Sequence, residues 1–211
     1  MKDIIDLNKR AWNKIADKYD DRKGQGLSEL FKNFTVLIPE NARVLDLGCG
    51  TGIPHAKYMV EQGFNVTGID LSGEMVKVAM LNVPEASFIE LSMNEIEYEE
   101  KFHGIISNFS MLLLSPKLFM ETAERVYSAL VHGGYIYLSL NEPTNPSVDS
   151  DSDVFVNIMG QEMYSRAYTV KEVEMVFLPL GFKVVEFNRM VHVSPEFGKE
   201  HVIEFIFQKK G

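Results

Sequence analysis

Val44-Leu45-Asp46-Leu47-Gly48-Cys49-Gly50-Thr51-Gly52 is the stretch that decides how this chain folds. An apolar run, Arg43–Leu47, enters three alternating glycines. A helix then opens at Pro54, where a missing N–H costs nothing. Glycine is needed where the backbone turns sharply and a ligand must approach with no Cβ in the way. In an open α/β sheet, such a turn lies at the carboxyl edge, where ligands bind. The next apolar run, Phe64–Ile69, ends at Asp70, 20 residues after Gly50. A carboxylate there can accept both hydroxyl hydrogens of a ribose. A dinucleotide fingerprint would read G-x-G-x-x-G, with loop amides facing a pyrophosphate. Here the spacing is G-x-G-x-G, position 53 is isoleucine, and Asp46 brings negative charge where a phosphate would sit. Two carboxylates beside a glycine turn suit a cationic nucleoside without phosphates.

Outward from this turn the chain alternates. Before it, Ile4, Ile5, Asn8, Trp12, Ile15 and Tyr19 recur at helical spacing, with Gly24 and Gly26 as the stop. A second helix has Ser28 as N-cap, Leu30, Phe31, Phe34 and Leu37 on one face, and Pro39 as its end. After the turn, Ser72 caps a helix bearing Met75, Val76, Ala79 and Met80, which Pro84 breaks. Ser87–Leu91 and Gly104–Ser107 read as strands. Ser115 and Pro116 open a helix that Gly133-Gly134 closes, and Tyr135–Leu140 is a fifth strand. Residues 141–160 read as a long polar connection, a length associated with function or disorder. Thr169 and Glu172 form a capping box, and Gly181 ends that helix. Phe182–Val191 and His201–Gln208, joined by a short connection, read as an antiparallel hairpin. The alternation implies a mostly parallel sheet covered on both faces.

The bulk composition narrows the function. The 211 residues are 45% hydrophobic, as expected of one large core. The formal charge is −9, from 21 basic and 30 acidic residues, which disfavours a nucleic-acid partner. A small-molecule acceptor is the expected partner. The single cysteine, Cys49, excludes internal disulfides and cysteine-based zinc sites, and no metal is expected. No stretch reads as a signal peptide or a membrane span, so a cytoplasmic location without membrane contact is expected. The oligomeric state stays open.

VLDLGCGTG followed by GIDLS resembles the class I S-adenosylmethionine-dependent methyltransferases, in particular small bacterial enzymes of the ubiquinone-biosynthesis type. WNKIADKYDD is similar to their entry segment and ALVHGGYIYLSL to their fifth-strand signature, so the likeness spans the first two-thirds of the chain. It implies a doubly wound, Rossmann-like sheet of seven strands in the order 3-2-1-4-5-7-6, with an antiparallel last strand. Residues 1–38 would form a helical lid, 39–140 the cofactor core, 141–168 a variable substrate loop, and 169–211 a terminal helix and hairpin of one domain. The implied cofactor is S-adenosyl-L-methionine, with S-adenosyl-L-homocysteine as product.

The resemblance also implies roles. Gly48 and Gly50 would lie against the methionine portion, Asp46 would contact its ammonium, and Asp70 would hold the ribose. Leu71 would pack on the adenine, Met93 would offer its backbone amide to the adenine edge, and Asn108 would supply a backbone carbonyl near the ammonium. Two positions depart from the pattern: Ser92 stands where an aspartate commonly bonds the adenine amino group, and His103 where another aspartate is common.

A sulfonium methyl is already electrophilic, so alignment and water exclusion matter more than a base, and no catalytic triad is present. Tyr19 and Arg166 are the candidates for positioning the acceptor, Tyr19 by its aromatic face and Arg166 by a bidentate grip. Trp12 reads as packing. His55, His192 and His201 are weaker candidate bases, and Cys49 reads as a small buried filler. Asp149, Asp151 and Asp153 imitate a calcium loop but lack its glycine and its bidentate glutamate. The competing readings are a nicotinamide-dependent (NAD) oxidoreductase on a related fold and a non-catalytic S-adenosylmethionine-binding protein.

Overall fold

A computed structural model describes residues 3–19, 26–143, 155–194 and 198–211. Two helices, α1 (Ile4–Tyr19) and α2 (Glu29–Leu37), precede β1 (Arg43–Leu47). There follow α3 (His55–Glu61), β2 (Asn65–Asp70), α4 (Gly73–Asn82), β3 (Ser87–Glu90), β4 (Phe102–Asn108), α5 (Pro116–Ala129) and β5 (Leu130–Glu142). A small hairpin, β6 (Phe155–Ile158) and β7 (Gln161–Tyr164), leads to α6 (Val170–Phe177), β8 (Phe182–Ser194) and β9 (Gly198–Lys209).

Seven strands form one sheet in the order β3-β2-β1-β4-β5-β9-β8. The first five are parallel, and β9 runs antiparallel to both β5 and β8. Counted within the sheet, this is the expected order. The central strands β1, β4, β5 and β9 are buried on both faces, since successive side chains alternate, while the edge strands β3 and β8 are largely exposed. Val44 faces α2 and α3 among Phe31, Phe34 and Met59. Leu45 and Leu47 face α5 and α6 among Phe119, Phe177 and Phe205. Each such apolar side chain, fully buried, contributes about 1.5–3 kcal/mol. The helix starts are fixed locally: Ser28, Ser72 and Ser115 each accept an N–H of the first turn, and Thr169 with Glu172 completes a reciprocal box.

Three expectations need correction. Gly133-Gly134 does not stop α5, which ends at Ala129. β5 begins at Leu130, and the glycines lie in a bulge between the Phe102↔Leu130 and Gly104↔Tyr135 pairs, with Gly133 at φ 75°. Residues 155–164 are a hairpin rather than connection. Met159 (φ 52°) and Gly160 (φ 81°) both take the left-handed turn conformation, and Asn157 accepts the Gly160 N–H. Leu37, read on one face with Leu30, Phe31 and Phe34, and Met80, read on the helix with Met75, Val76 and Ala79, are not buried with those residues and stand 36% and 48% exposed. Gly24, the acidic residues 149–153 and the rest of 144–154 lie outside the described residues.

Candidate functional site

The three glycines after β1 all have positive φ: 70° at Gly48, 54° at Gly50 and 79° at Gly52. Their surroundings differ. A Cβ on Gly48 would lie 2.5 Å from Cβ of Ser110, and one on Gly52 3.2 Å from Val83. At Gly50 nothing lies within 4 Å. Gly48 and Gly52 are therefore glycines because the protein packs on them, whereas Gly50 faces open space. The turn is clamped to β2: the Gly48 and Cys49 N–H groups donate to the Ile69 carbonyl at 2.8 and 2.9 Å. Asp70 completes the clamp, accepting the Gly50 N–H at 2.9 Å and the Ser72 N–H at 2.8 Å.

Asp46, the other carboxylate, is 3% exposed, and among the described residues no donor bonds it. Burial, then the nearby Asp70 charge, raises its carboxyl to about 7. Burial likewise raises Asp70 to about 6, against the pull of its two amide donors. Two neighbouring acids, each raised by burial and with no cation among the described residues bonded to either, form a receptor for a positive group. The ammonium and sulfonium of S-adenosylmethionine fit this requirement, and a diphosphate does not.

The space beside Gly50 and Asp46, which we call the hollow, lies at the carboxyl edge that α1 crosses. Asn8, 2% exposed, donates to the Leu113 and Tyr164 carbonyls and accepts the Tyr164 N–H. Asn13 accepts from the Ser72 hydroxyl and the Glu74 N–H at the start of α4. Lys9 pairs with Glu90 at the end of β3, 2.7 Å away. All these partners lie at the carboxyl edge, so α1 is drawn across it. α2 instead packs on the sheet face beside β5 and β9, away from the lid position expected for residues 1–38. Two clefts of about 170 and 220 Å³ open at the amino edge, beside Arg43 and Lys101 and beside His103 and His132. Neither reaches the glycine turn.

The other expected residues are placed as follows. Leu71 and Met93 are partly buried. The Met93 side-chain methyl lies 3.4 Å from where a Gly48 Cβ would be, so Met93 walls the hollow. Asn108 ends β4, and its side-chain oxygen accepts from Ser139 at 2.8 Å. The next residue, Phe109, is left-handed at φ 50°, an uncommon conformation for a bulky residue. Tyr19 stands edge-on to Trp12 at 5.4 Å, both packed with Met75 and Met163. Arg166 is 4% exposed; it pairs with Glu172, and its guanidinium lies 4.4 Å from the Tyr168 ring centroid. That environment is a packed ion pair at the start of α6. His55 is edge-on to Phe31, and burial lowers it to about 4. His103 accepts the Arg43 N–H, a structural contact. Cys49 is buried, which pushes its thiol up. His192 and His201 lie on the β8–β9 hairpin. Among the described residues, no three metal-ligating side chains cluster.

Sequence reasoning missed Asn13, Ser110 and the Lys9–Glu90 pair, because their partners lie 59 or more residues away in the chain. Asn8 did stand on the apolar stripe of α1. A polar residue there is the signal of a buried hydrogen bond.

Comparison with known proteins agrees with this geometry. Residues 44–134 match the family model described as a methyltransferase domain. The chain is 29% identical over 149 residues to the ubiquinone biosynthesis O-methyltransferase of Nitrosospira multiformis, covering 65% of this chain and 61% of that protein. It is 31% identical over 92 residues to a dTDP-3-amino-3,4,6-trideoxy-alpha-D-glucopyranose N,N-dimethyltransferase of Streptomyces venezuelae, covering 44% and 36%. The chain spans about half the length, or less, of most curated relatives it matches. The fold is shared with an S-adenosylmethionine-dependent methyltransferase of Methanosarcina mazei (TM-score 0.78, 18% identity, 88% and 99% coverage). It is also shared with the 1,6-didemethyltoxoflavin N1-methyltransferase of Burkholderia thailandensis, solved with S-adenosylhomocysteine (TM-score 0.69, 20% identity, 96% and 85% coverage). The glycine turn, the two acids and the strand order thus agree with what the comparisons show: residues 44–134 match a methyltransferase domain, and the chain shares the fold of S-adenosylmethionine-dependent methyltransferases.

Proposed function

We propose that this protein transfers the methyl group of S-adenosylmethionine to a small-molecule acceptor by direct in-line displacement. The observation that carries this is Asp46, a buried carboxylate with no donor from the described residues, beside an open glycine turn. In this reading Asp46 holds the ammonium, Gly50 gives the methionine portion room, and the Asn108 carbonyl lies near the same ammonium. Asp70 keeps its loop amides and uses its remaining lone pairs for the ribose hydroxyls. Leu71 and Met93 sandwich the adenine, and the Met93 N–H, which has no acceptor in the short turn it opens, is directed to the base edge. The bound cofactor supplies an electrophilic methyl, and α1 excludes water over it. Tyr19 lies on that roof and is assigned a positioning role; Arg166 acts through the fold around α6.

A small-molecule acceptor is supported by the net charge of −9 and by the named acceptors of two similar proteins, an amino sugar nucleotide and a toxoflavin precursor. No helix is long and apolar enough to cross a membrane among the described residues. The test is calorimetric titration with S-adenosylhomocysteine and NAD, then transfer from methyl-labelled cofactor to a panel of amines, phenols and thiols. Micromolar binding of the homocysteine with turnover supports the proposal. Binding of NAD instead refutes it, and binding without transfer to any acceptor leaves a cofactor-binding protein.

A further inference from the structure

After β3 the buried polar side chain is uncharged, and the charged groups beside it, Lys9, Glu90 and Glu95, are exposed or half-exposed. Leu91 N–H donates to the Asp70 carbonyl at 2.9 Å, so residues 91–93 run beside the ribose-binding acid. Met93 reaches back to the glycine turn. The inward polar side chains here are a neutral pair, the Ser92 hydroxyl donating to the Asn94 side-chain oxygen, while Glu95 on the same short turn is exposed. Ser92 is 8% exposed and Asn94 partly buried. Among the described residues the Asn94 amide nitrogen has no acceptor. Lys9 occupies Glu90, the nearest carboxylate on β3.

Resting on the cofactor reading above, we propose that the Ser92–Asn94 pair reads the edge of the cofactor's base and tolerates a 6-oxo purine there as well as adenine. A carboxylate in this place could only accept, so it would select the 6-amino group and repel a 6-oxo oxygen. An amide carries both an acceptor and a donor. By turning over, Asn94 offers its oxygen to a 6-amino group or its NH₂ to a 6-oxo oxygen, while the Ser92 hydroxyl rotates to follow. The penalty that normally enforces base selectivity, a buried polar group left unpaired, is thereby relieved. The Met93 N–H still favours the unprotonated N1 of adenine, so a residual preference for adenine remains.

The test is binding, independent of the acceptor. S-adenosylhomocysteine and S-inosylhomocysteine are titrated into the wild type, Ser92→Asp and Asn94→Ala, with circular dichroism as a check on folding. In the wild type the inosyl ligand is expected to bind within about tenfold of the adenosyl one. Ser92→Asp should widen the ratio to about 100-fold or more, by weakening the inosyl ligand. Asn94→Ala should weaken both ligands by a similar factor of about five. A wild-type ratio above about 100-fold, or an Asn94→Ala variant that binds both ligands as the wild type does, overturns the inference even if Ser92→Asp fails to fold. Failure of S-adenosylhomocysteine itself to bind the wild type would overturn the cofactor reading and this inference with it.

Discussion

Asp46→Asn should make the free protein more stable and the cofactor bind worse. A carboxyl lifted from its ordinary 3.8 to about 7 carries, when ionised in the fold, a penalty of about 4 kcal/mol relative to the unfolded chain. The sign follows from linkage. The folded state holds the proton more tightly, so this stabilising contribution is fully present below the unfolded value near 4 and is lost as pH rises through about 7. At pH 8 the free protein therefore holds an ionised, unpaired carboxylate. Asparagine has nearly the same shape and no charge. The substitution should raise Tm at pH 8 by several degrees, up to about 10 °C for a domain of this size, and by less than half as much at pH 5, where only part of the contribution has been lost. Asp70, raised to about 6 for the same reason, loses its own contribution slightly earlier in the titration and is untouched by the change. The same asparagine can no longer make a charged bond to the ammonium. That bond is worth about 1.5–3 kcal/mol, so S-adenosylhomocysteine should bind about 10- to 150-fold more weakly. Scanning fluorimetry at the two pH values and calorimetry at pH 8 read both effects. A Tm that falls at pH 8, or an unchanged affinity, would refute the assignment of Asp46 as a cation receptor.

Other expectations follow from the same geometry. In the wild type, binding at pH 6 should take up the cost of deprotonating Asp46, so affinity should fall about tenfold per pH unit below 7, with proton release visible as a buffer-dependent heat. Gly48→Ala forces a Cβ to 2.5 Å from Ser110 at a φ of 70°, and should cost about 2–4 kcal/mol in urea unfolding. Adding Ser110→Gly should recover part of that. Asn8→Ala removes the hydrogen bonds joining α1 to Leu113 and Tyr164, so hydrogen exchange in α1 should rise and S-adenosylhomocysteine should dissociate about tenfold faster, followed through the emission of Trp12, the sole tryptophan. Arg166→Met should lower stability by about 1.5–3 kcal/mol through loss of the charged Arg166–Glu172 bond, Glu172 keeping its Thr169 donors, and leave S-adenosylhomocysteine affinity unchanged.

The parts of this molecule legible in the sequence are those governed by short-range rules. The first strand could be bounded at Arg43 and Leu47 because an exposed arginine precedes four consecutive residues that bury on alternate faces and a glycine must follow. Ser72, Ser115 and the Thr169–Glu172 box mark helix starts within a single turn of chain. The strand order was carried by family likeness, since nothing local makes Arg43 pair with Asn65. Misreadings arose where one residue type serves two structures. A glycine pair ends helices and also makes bulges, and only the offset between Phe102 and Gly104 across β4 and β5 decides for the bulge at Gly133. Methionine is a rare turn residue, so Met159-Gly160 concealed the β6–β7 hairpin.

The site divides along the same line. Asp46, Gly50 and Asp70 are fixed by one strand-turn-strand unit and could be found from their spacing. The roof could not, because Asn8, Lys9 and Asn13 bond residues 59 to 156 positions away. This division has a physical consequence for function. The cation receptor rests on main-chain clamps from Ile69 and on Asp70's own amide bonds, so it is built before any ligand arrives. The roof rests on side chains alone, the cluster of Ala11, Ile15 and Ala16 with Met75 and Met163, two asparagines and one half-exposed ion pair, of which water can replace the ion pair at little cost. Cofactor exchange therefore requires breaking the weak set of contacts while keeping the strong one. Affinity should answer to Asp46 and Asp70, and exchange rates to Asn8 and Asn13.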